Sequence, residues 1–191
     1  KAYINIILSE KDDGIYDAFN KGLKLSSGKF IGIVNSDDYL TGNALSIIKK
    51  YINKNKFDFI FGSVKKHWGI LHGYEPHKIY YSWGFYSSHS TGFFITNRAA
   101  KIVGKYNIKY RYHADYDYFF RMIVKKKLKG IATKKNEITG VFRRGGFSST
   151  IPYKKLFYED IKIRYDNGQN ILLILIIAVY KIFKNFKKIL F

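Results

Sequence analysis

An α/β fold, with a mainly parallel sheet flanked by helices, is what three features of this sequence predict. Short apolar runs alternate with segments whose apolar residues recur at helical spacing. One such run, Phe30 to Val34, stops abruptly in Asn35-Ser36-Asp37-Asp38, as a buried strand does at the carboxyl edge of a parallel sheet. The composition can build a core, because 47% of residues are hydrophobic and 18% aromatic, which excludes a disordered chain. At 191 residues the chain suits one domain, or one domain with a tail.

Taken in order, Tyr3 to Leu8 reads as a buried strand, and Asp12-Asp13-Gly14 as a turn that caps the next helix. Ile15, Phe19 and Leu23 mark that helix, which Ser26-Ser27-Gly28 ends. After the strand Phe30 to Val34 comes a helix with Ala44, Ile47, Ile48, Tyr51 and Ile52 on one face, then a strand from Phe57 to Phe61. His67 to His89 breaks into Gly, aromatic and polar residues and reads as a long loop region with one hairpin. Ser90 to Thr96 is expected as a strand and Ala99 to Val103 as a short helix. Asp115 is placed to cap a helix carrying Phe119, Met122 and Ile123, with short strands at Gly130 to Thr133 and Ile138 to Phe142. Gly145-Gly146 opens a flexible stretch, so residues 1–150 are expected as the main domain and 151–191 as a helical tail.

The absence of cysteine excludes disulfides and thiolate metal sites and suits a reducing cytoplasm. The chain starts at Lys1 with no charged-then-apolar leader behind it, so no signal peptide is expected. A formal net charge of +20 attracts phosphate-rich partners such as nucleotides, anionic lipid or nucleic acid. Abundant Lys, Asn, Ile, Tyr and Phe are also what an AT-rich genome encodes. The aromatics follow core periodicity and form no stacking platform, so no specific nucleic-acid partner is expected.

Asp37 and Asp38 are the strongest local chemical signal. Hard carboxylate oxygens after a buried strand suit Mg²⁺ or Mn²⁺ bridging a diphosphate, and equally suit a capped turn. Their surroundings are more specific. The blocks Ser9 to Gly22, Ser27 to Gly32, Asn35 to Asp38, Ser88 to Phe94, Ala114 to Arg121 and Gly145 to Ser149 closely resemble, in order, the family-two glycosyltransferases. The resemblance covers roughly residues 3 to 150. It implies a GT-A-like (Rossmann-like) fold, a divalent cation and an inverting sugar transfer. It also implies that the chain lacks the N-terminal strand–helix unit that binds the nucleotide base, which would leave the donor pocket open on one side.

Carried over by motif, Asp37 matches the last acidic position of the metal motif, with Asp38 beside it. Asn35 stands where many relatives have an Asp. Asp115 matches the catalytic base, with Ala114 in place of the Glu that often precedes it. A carboxylate suits that task, since a sugar hydroxyl must lose its proton as it attacks. Asp115 also fits a simple helix cap. Asn20, Lys21 and His89 are donor-site candidates. Lys21 could meet a phosphate or only solvent, and His89 could equally be structural. Arg121 reads as an ion-pair partner. The five-residue spacing of His67, His72 and His77 suits neither one helix face nor one strand face, so they are not read as metal ligands. Gly145-Gly146 with Ser148 and Ser149 could form a mobile flap over the donor.

In the tail, Ile171 to Tyr180 is continuously apolar, then Lys181, Lys184, Lys187 and Lys188 interleave with apolar residues. That run is shorter than the ~20 residues a membrane-spanning helix needs. A basic amphipathic helix lying on an anionic membrane is expected, with a core-docked helix as the alternative. The partners expected are a nucleotide-sugar donor, a glycan or lipid-linked acceptor of cell-envelope synthesis, and the inner face of the cell membrane, met peripherally from the cytoplasm. The rival expectation is a non-catalytic remnant that binds membrane or polyanions.

Overall fold

The computed structural model describes residues 4–53, 57–81, 90–143, 145 and 151–186. Helix α1 (Ile15–Leu25) starts at Gly14, whose φ of 93° is a conformation that glycine adopts without strain. The cap comes from Gly14 rather than from Asp12 or Asp13, and Asp17 on the first turn accepts a hydrogen bond from the Asp13 amide (3.1 Å). Strand β1 (Phe30–Gly32) and the two-residue β2 (Tyr39–Leu40) flank the Asn35–Asp38 turn. Helix α2 (Ala44–Ile52) buries Ala44, Ile48 and Tyr51. Strands β3 (Phe59–Phe61), β4 (Ser63–Lys66) and β5 (Gly69–Leu71) follow, β4 and β5 forming a hairpin. After a 3₁₀ turn at Ser90–Gly92 come β6 (Phe93–Thr96) and α3 (Asn97–Val103), which the Thr96 hydroxyl caps by accepting from the Ala99 amide. Helix α4 (Ala114–Phe120) widens into a π turn at Arg121–Lys125 and leads to β7 (Gly130–Ala132) and β8 (Ile138–Val141). Helices α5 (Tyr153–Asp166) and α6 (Ile171–Lys184) complete the described chain.

The strands form two four-stranded sheets, ordered β1-β6-β3-β7 and β2-β8-β4-β5. The α/β class holds, while the expected mainly parallel pairing is corrected to a mixed one. Among the described residues only β3–β7 and β4–β8 pair in parallel, and β6 runs antiparallel between β1 and β3. The chain passes from one sheet to the other at Gly62. A Cβ there would sit 2.0 Å from Thr139 Oγ1, so no larger residue fits this crossing.

Side chains alternate across β3, so the first sheet is covered on both faces. Ile60 and Phe94 pack under Ile48 and Tyr51 of α2. Phe59, Phe61, Phe93 and Ile95 join the larger cluster, with Tyr16, Tyr106, Tyr118 and Phe119. Tyr106 and Tyr118 stack with ring centroids 4.1 Å apart, which fixes the segment before α4 against α4 itself.

Two further expectations change. No strand forms at residues 4–8, where Ile4, Ile6, Ile7 and Leu8 are all more than half exposed. An apolar run needs a neighbouring strand to become one. The helix at Ala114 is capped by His113, not Asp115, which lies inside its first turn. Within the expected tail, α5 packs into the core, because its Ile163 is fully buried in the same cluster as Phe59 and Phe119. Helix α6 has one docked face and one exposed face. Ile174, Ile177 and Lys181 are buried against α5, while Leu172, Leu175, Ile176, Val179 and Phe183 are exposed. Lys181 therefore leaves the basic face and ion-pairs with Asp160 instead.

Candidate active site

A cleft of about 810 Å³ opens where β1 ends and α1 begins. One wall carries Gly32, Asn35, Ser36 and Asp37, the floor is apolar with Ile31 and Phe93, and the far wall holds Tyr112 and Asp115. Asp37 and Asp115, 78 positions apart in sequence, thus face one volume.

Asp115 is half-buried and sits at the start of α4. Burial pushes its pKa up to about 6, against hydrogen bonds that favour the charged form, from the Tyr116 amide (2.9 Å) and the Tyr16 hydroxyl (3.2 Å). Tyr16 also donates to the Tyr112 carbonyl (3.0 Å), so α1 is stitched to the loop bearing Asp115. A carboxylate with a pKa near neutrality is ionised at pH 7 yet basic enough to take a proton, which is what a general base requires.

The two adjacent aspartates have different fates. Asp37 is half-buried and lines the cleft. Asp38 is 8% exposed and turned inward. Its Oδ2 accepts from Thr91 Oγ1 (2.7 Å) and its Oδ1 from the Arg143 amide (3.1 Å). Asp38 thereby ties the turn after β1 to the 3₁₀ turn before β6 and to the segment after β8. Asn35, which also lines the cleft, donates to Ser90 Oγ (2.9 Å). The residues on this wall that could offer oxygens to a divalent cation are Asp37, Asn35, Ser36 and Ser90. These are hard ligands that fit Mg²⁺ or Mn²⁺ taking its remaining ligands from a diphosphate and water. Among the described residues, no three His, Cys, Asp or Glu come together as a ready-made cage.

Asn20 and Lys21 lie elsewhere than the cleft lining. The Asn20 amide donates to the Tyr106 carbonyl (2.9 Å) and accepts from the Tyr106 amide (2.7 Å), so it is a structural tie. Lys21 Nζ is surrounded by Glu10 (2.8 Å), Asp12 (2.8 Å) and Asp17 (3.1 Å), and these carboxylates, Asp12 first, raise its pKa. Its charge is matched locally and offers little to a phosphate. His89 and the segment Gly146 to Ser149 lie outside the described residues, while Gly145 lines the cleft. His67, His72 and His77 are all exposed and bear no relation to the site. Arg121 is structural as expected, paired with Asp117 (2.8 Å) and donating to the Val103 and Lys105 carbonyls. Two residues escaped the sequence reading. Tyr16 stands inside the Gly14–Asp17 block but carries no charge to draw notice, and Thr91 is an ordinary threonine until Asp38 is seen to need a donor.

The Glycosyl transferase family 2 profile matches residues 1–129. The PGL/p-HBAD biosynthesis glycosyltransferases of Mycobacterium bovis (strain BCG / Pasteur 1173P2) and Mycobacterium tuberculosis (strain ATCC 25618 / H37Rv) are each 27% identical over 166 residues. Each alignment covers 78% of this chain and 59% of the relative, so the chain spans about three fifths of their length. Among solved structures, S. aureus TarS is similar with a TM-score of 0.60 at 14% identity, over 83% of this chain and 28% of TarS. TarS 1-349 in complex with UDP-GlcNAc gives 0.58 at 14% identity, over 83% of this chain and 48% of that one. At such identity these likenesses show the shared fold alone.

Proposed function

We propose that this chain, which belongs to glycosyl transferase family 2, carries the catalytic centre for moving a sugar from a nucleotide-diphosphate donor to a glycan or lipid-linked acceptor of the cell envelope, with inversion. The observation that carries the reading is that Asp37 and Asp115 line one cleft, Asp115 with its pKa at about 6. In this reading the acceptor hydroxyl lies against Asp115 and attacks the anomeric carbon. Its proton passes to the Asp115 carboxylate as the new bond forms. The bond to the nucleotide diphosphate breaks on the opposite side of that carbon, which inverts its configuration. Tyr16 keeps Asp115 aimed throughout. Asp37, with Asn35, Ser36 and Ser90, would hold a divalent cation, which would stabilise negative charge on the departing diphosphate. The apolar floor of Ile31 and Phe93 keeps water from competing with the acceptor.

The relatives' printed role in PGL/p-HBAD biosynthesis and the UDP-GlcNAc bound by TarS favour an envelope glycan and a nucleotide-sugar for this chain too. Among the described residues, no helix is long and apolar enough to cross a membrane. The exposed apolar face of α6 favours peripheral contact with an anionic membrane, on its cytoplasmic face.

The test is Asp37→Asn in the natural full-length protein. Donor affinity should rise with Mn²⁺ in the parent and lose that dependence in the variant, since the change removes charge with little change of volume. Unchanged Mn²⁺-dependent affinity by calorimetry would remove Asp37 from the donor site.

A further inference from the structure

The backbone of the loop leading into Asp115 is held from behind by α5. Glu159, on α5 and 8% exposed, accepts hydrogen bonds from three successive backbone amides. Arg111 donates to Oε2 at 2.9 Å, and Tyr112 and His113 both donate to Oε1 at 2.7 Å. Three amides converging on one carboxylate offset the desolvation that burial imposes on it, and they fix the loop's path. The same helix and its following turn grip both sides of Asp115. Asp166 accepts from the Tyr110 hydroxyl (2.7 Å), Asn167 donates to Asp117 Oδ1 (2.9 Å), and Gln169 donates to the Tyr116 hydroxyl (3.3 Å). All of α5 lies beyond residues 1–129, the span that the family profile matches.

We propose that Glu159 is a positioning residue for sugar transfer, setting the direction of the Asp115 carboxylate through the Arg111–His113 amides it clamps. This rests on Asp115 being the base. The clamped segment also brings Arg111 and Tyr112 to the cleft wall, so one anchor orients base and wall together. A base must lie within hydrogen-bond reach of the proton it takes, and a displacement of about 1 Å costs on the order of a hundredfold in rate. Charge adds a second link. The groups facing Asp115 are Tyr16 from α1, Tyr106, Arg111 and Tyr112 from the preceding loop, and Glu159 from α5. Glu159 is the acid among them, and its charge favours protonated Asp115.

The test is Glu159→Gln in the natural full-length enzyme. Glutamine keeps the volume but turns an amide toward backbone N–H groups, so it cannot accept all three bonds. Turnover should fall roughly ten- to a hundredfold with donor KM nearly unchanged. The acid limb of the kcat–pH profile should move to lower pH, because a negative charge near Asp115 has gone. In an Asp115→Asn background, Glu159→Gln should have almost no further effect on turnover, since its action runs through that carboxylate. Parental turnover with an unmoved acid limb, or the same proportional loss in both backgrounds, would overturn the proposal. Parental turnover in Asp115→Asn alone would instead overturn the base assignment on which it rests. Should Glu159→Gln yield no folded protein, Glu159→Asp retains the charge but withdraws it from the amides. The same loss of turnover is then expected, and a folded Glu159→Asp enzyme at parental rate overturns the proposal.

Discussion

Asp115 is set where its chemistry and its stability oppose each other. A carboxyl ordinarily near 3.8 is raised to about 6, so the folded protein holds its proton more tightly than the unfolded chain does. The stabilising contribution is complete below the unfolded value and is lost as pH rises through about 6, where the buried group must ionise. Asparagine is neutral at every pH and its oxygen still accepts from Tyr116 and Tyr16. Asp115→Asn should therefore unfold at higher urea than the parent at about pH 8, the gap closing toward about pH 4. A gap that stays constant with pH would mean that ionisation of Asp115 carries no such penalty. At this scale the sequence was partly legible. Asp37 and Asp115 stand out because each begins or ends an element beside a family-like block. The separate fate of Asp38 does not stand out, since only the fold brings Thr91 and the Arg143 amide to it. The partners of Asn20 and Lys21, at Tyr106 and Glu10, are likewise visible only in three dimensions.

Elements with a strong apolar rhythm were legible, and those held by polar contacts were not. Helix α2 buries Ala44, Ile48 and Tyr51, as its spacing indicates. Strand direction depends on long-range pairing, and nothing local in Phe93–Thr96 says that β6 will run antiparallel between β1 and β3. The docking of α5, within the expected helical tail, was hidden because its buried face carries Glu159, Asp160 and Arg164 along with Ile163, a pattern that resembles a solvated surface. Helix α6 poses the opposite case, apolar on both sides. Leu175, Ile176 and Val179 share its exposed face, and Lys184 lies exposed in its last turn. The full-length protein should sediment with vesicles of anionic lipid, aided by about 1 kcal/mol per lysine near the surface. Replacing Leu175, Ile176 and Val179 together by Gln should abolish that sedimentation while leaving the fold intact, because none of them packs inside. Undiminished sedimentation of the triple variant would place any membrane affinity elsewhere.

At the scale of the molecule, two sheets meeting at Gly62 hold a cleft whose walls come from the turn after β1 and from the loop before α4. The second wall is anchored by α5, whose Ile163 is buried in the same core cluster as Ile31 of β1. The net charge of +20 favours phosphate-bearing partners of the molecule as a whole. The proposed function gives Asp115 the task of taking the acceptor's proton. The direct measurement is turnover of Asp115→Asn in the natural full-length enzyme, with donor binding measured in both proteins. A base acts in the transition state, so turnover should fall about a hundred- to ten-thousandfold while donor affinity stays nearly as it was. Turnover close to that of the parent, with donor bound equally well, would contradict the account.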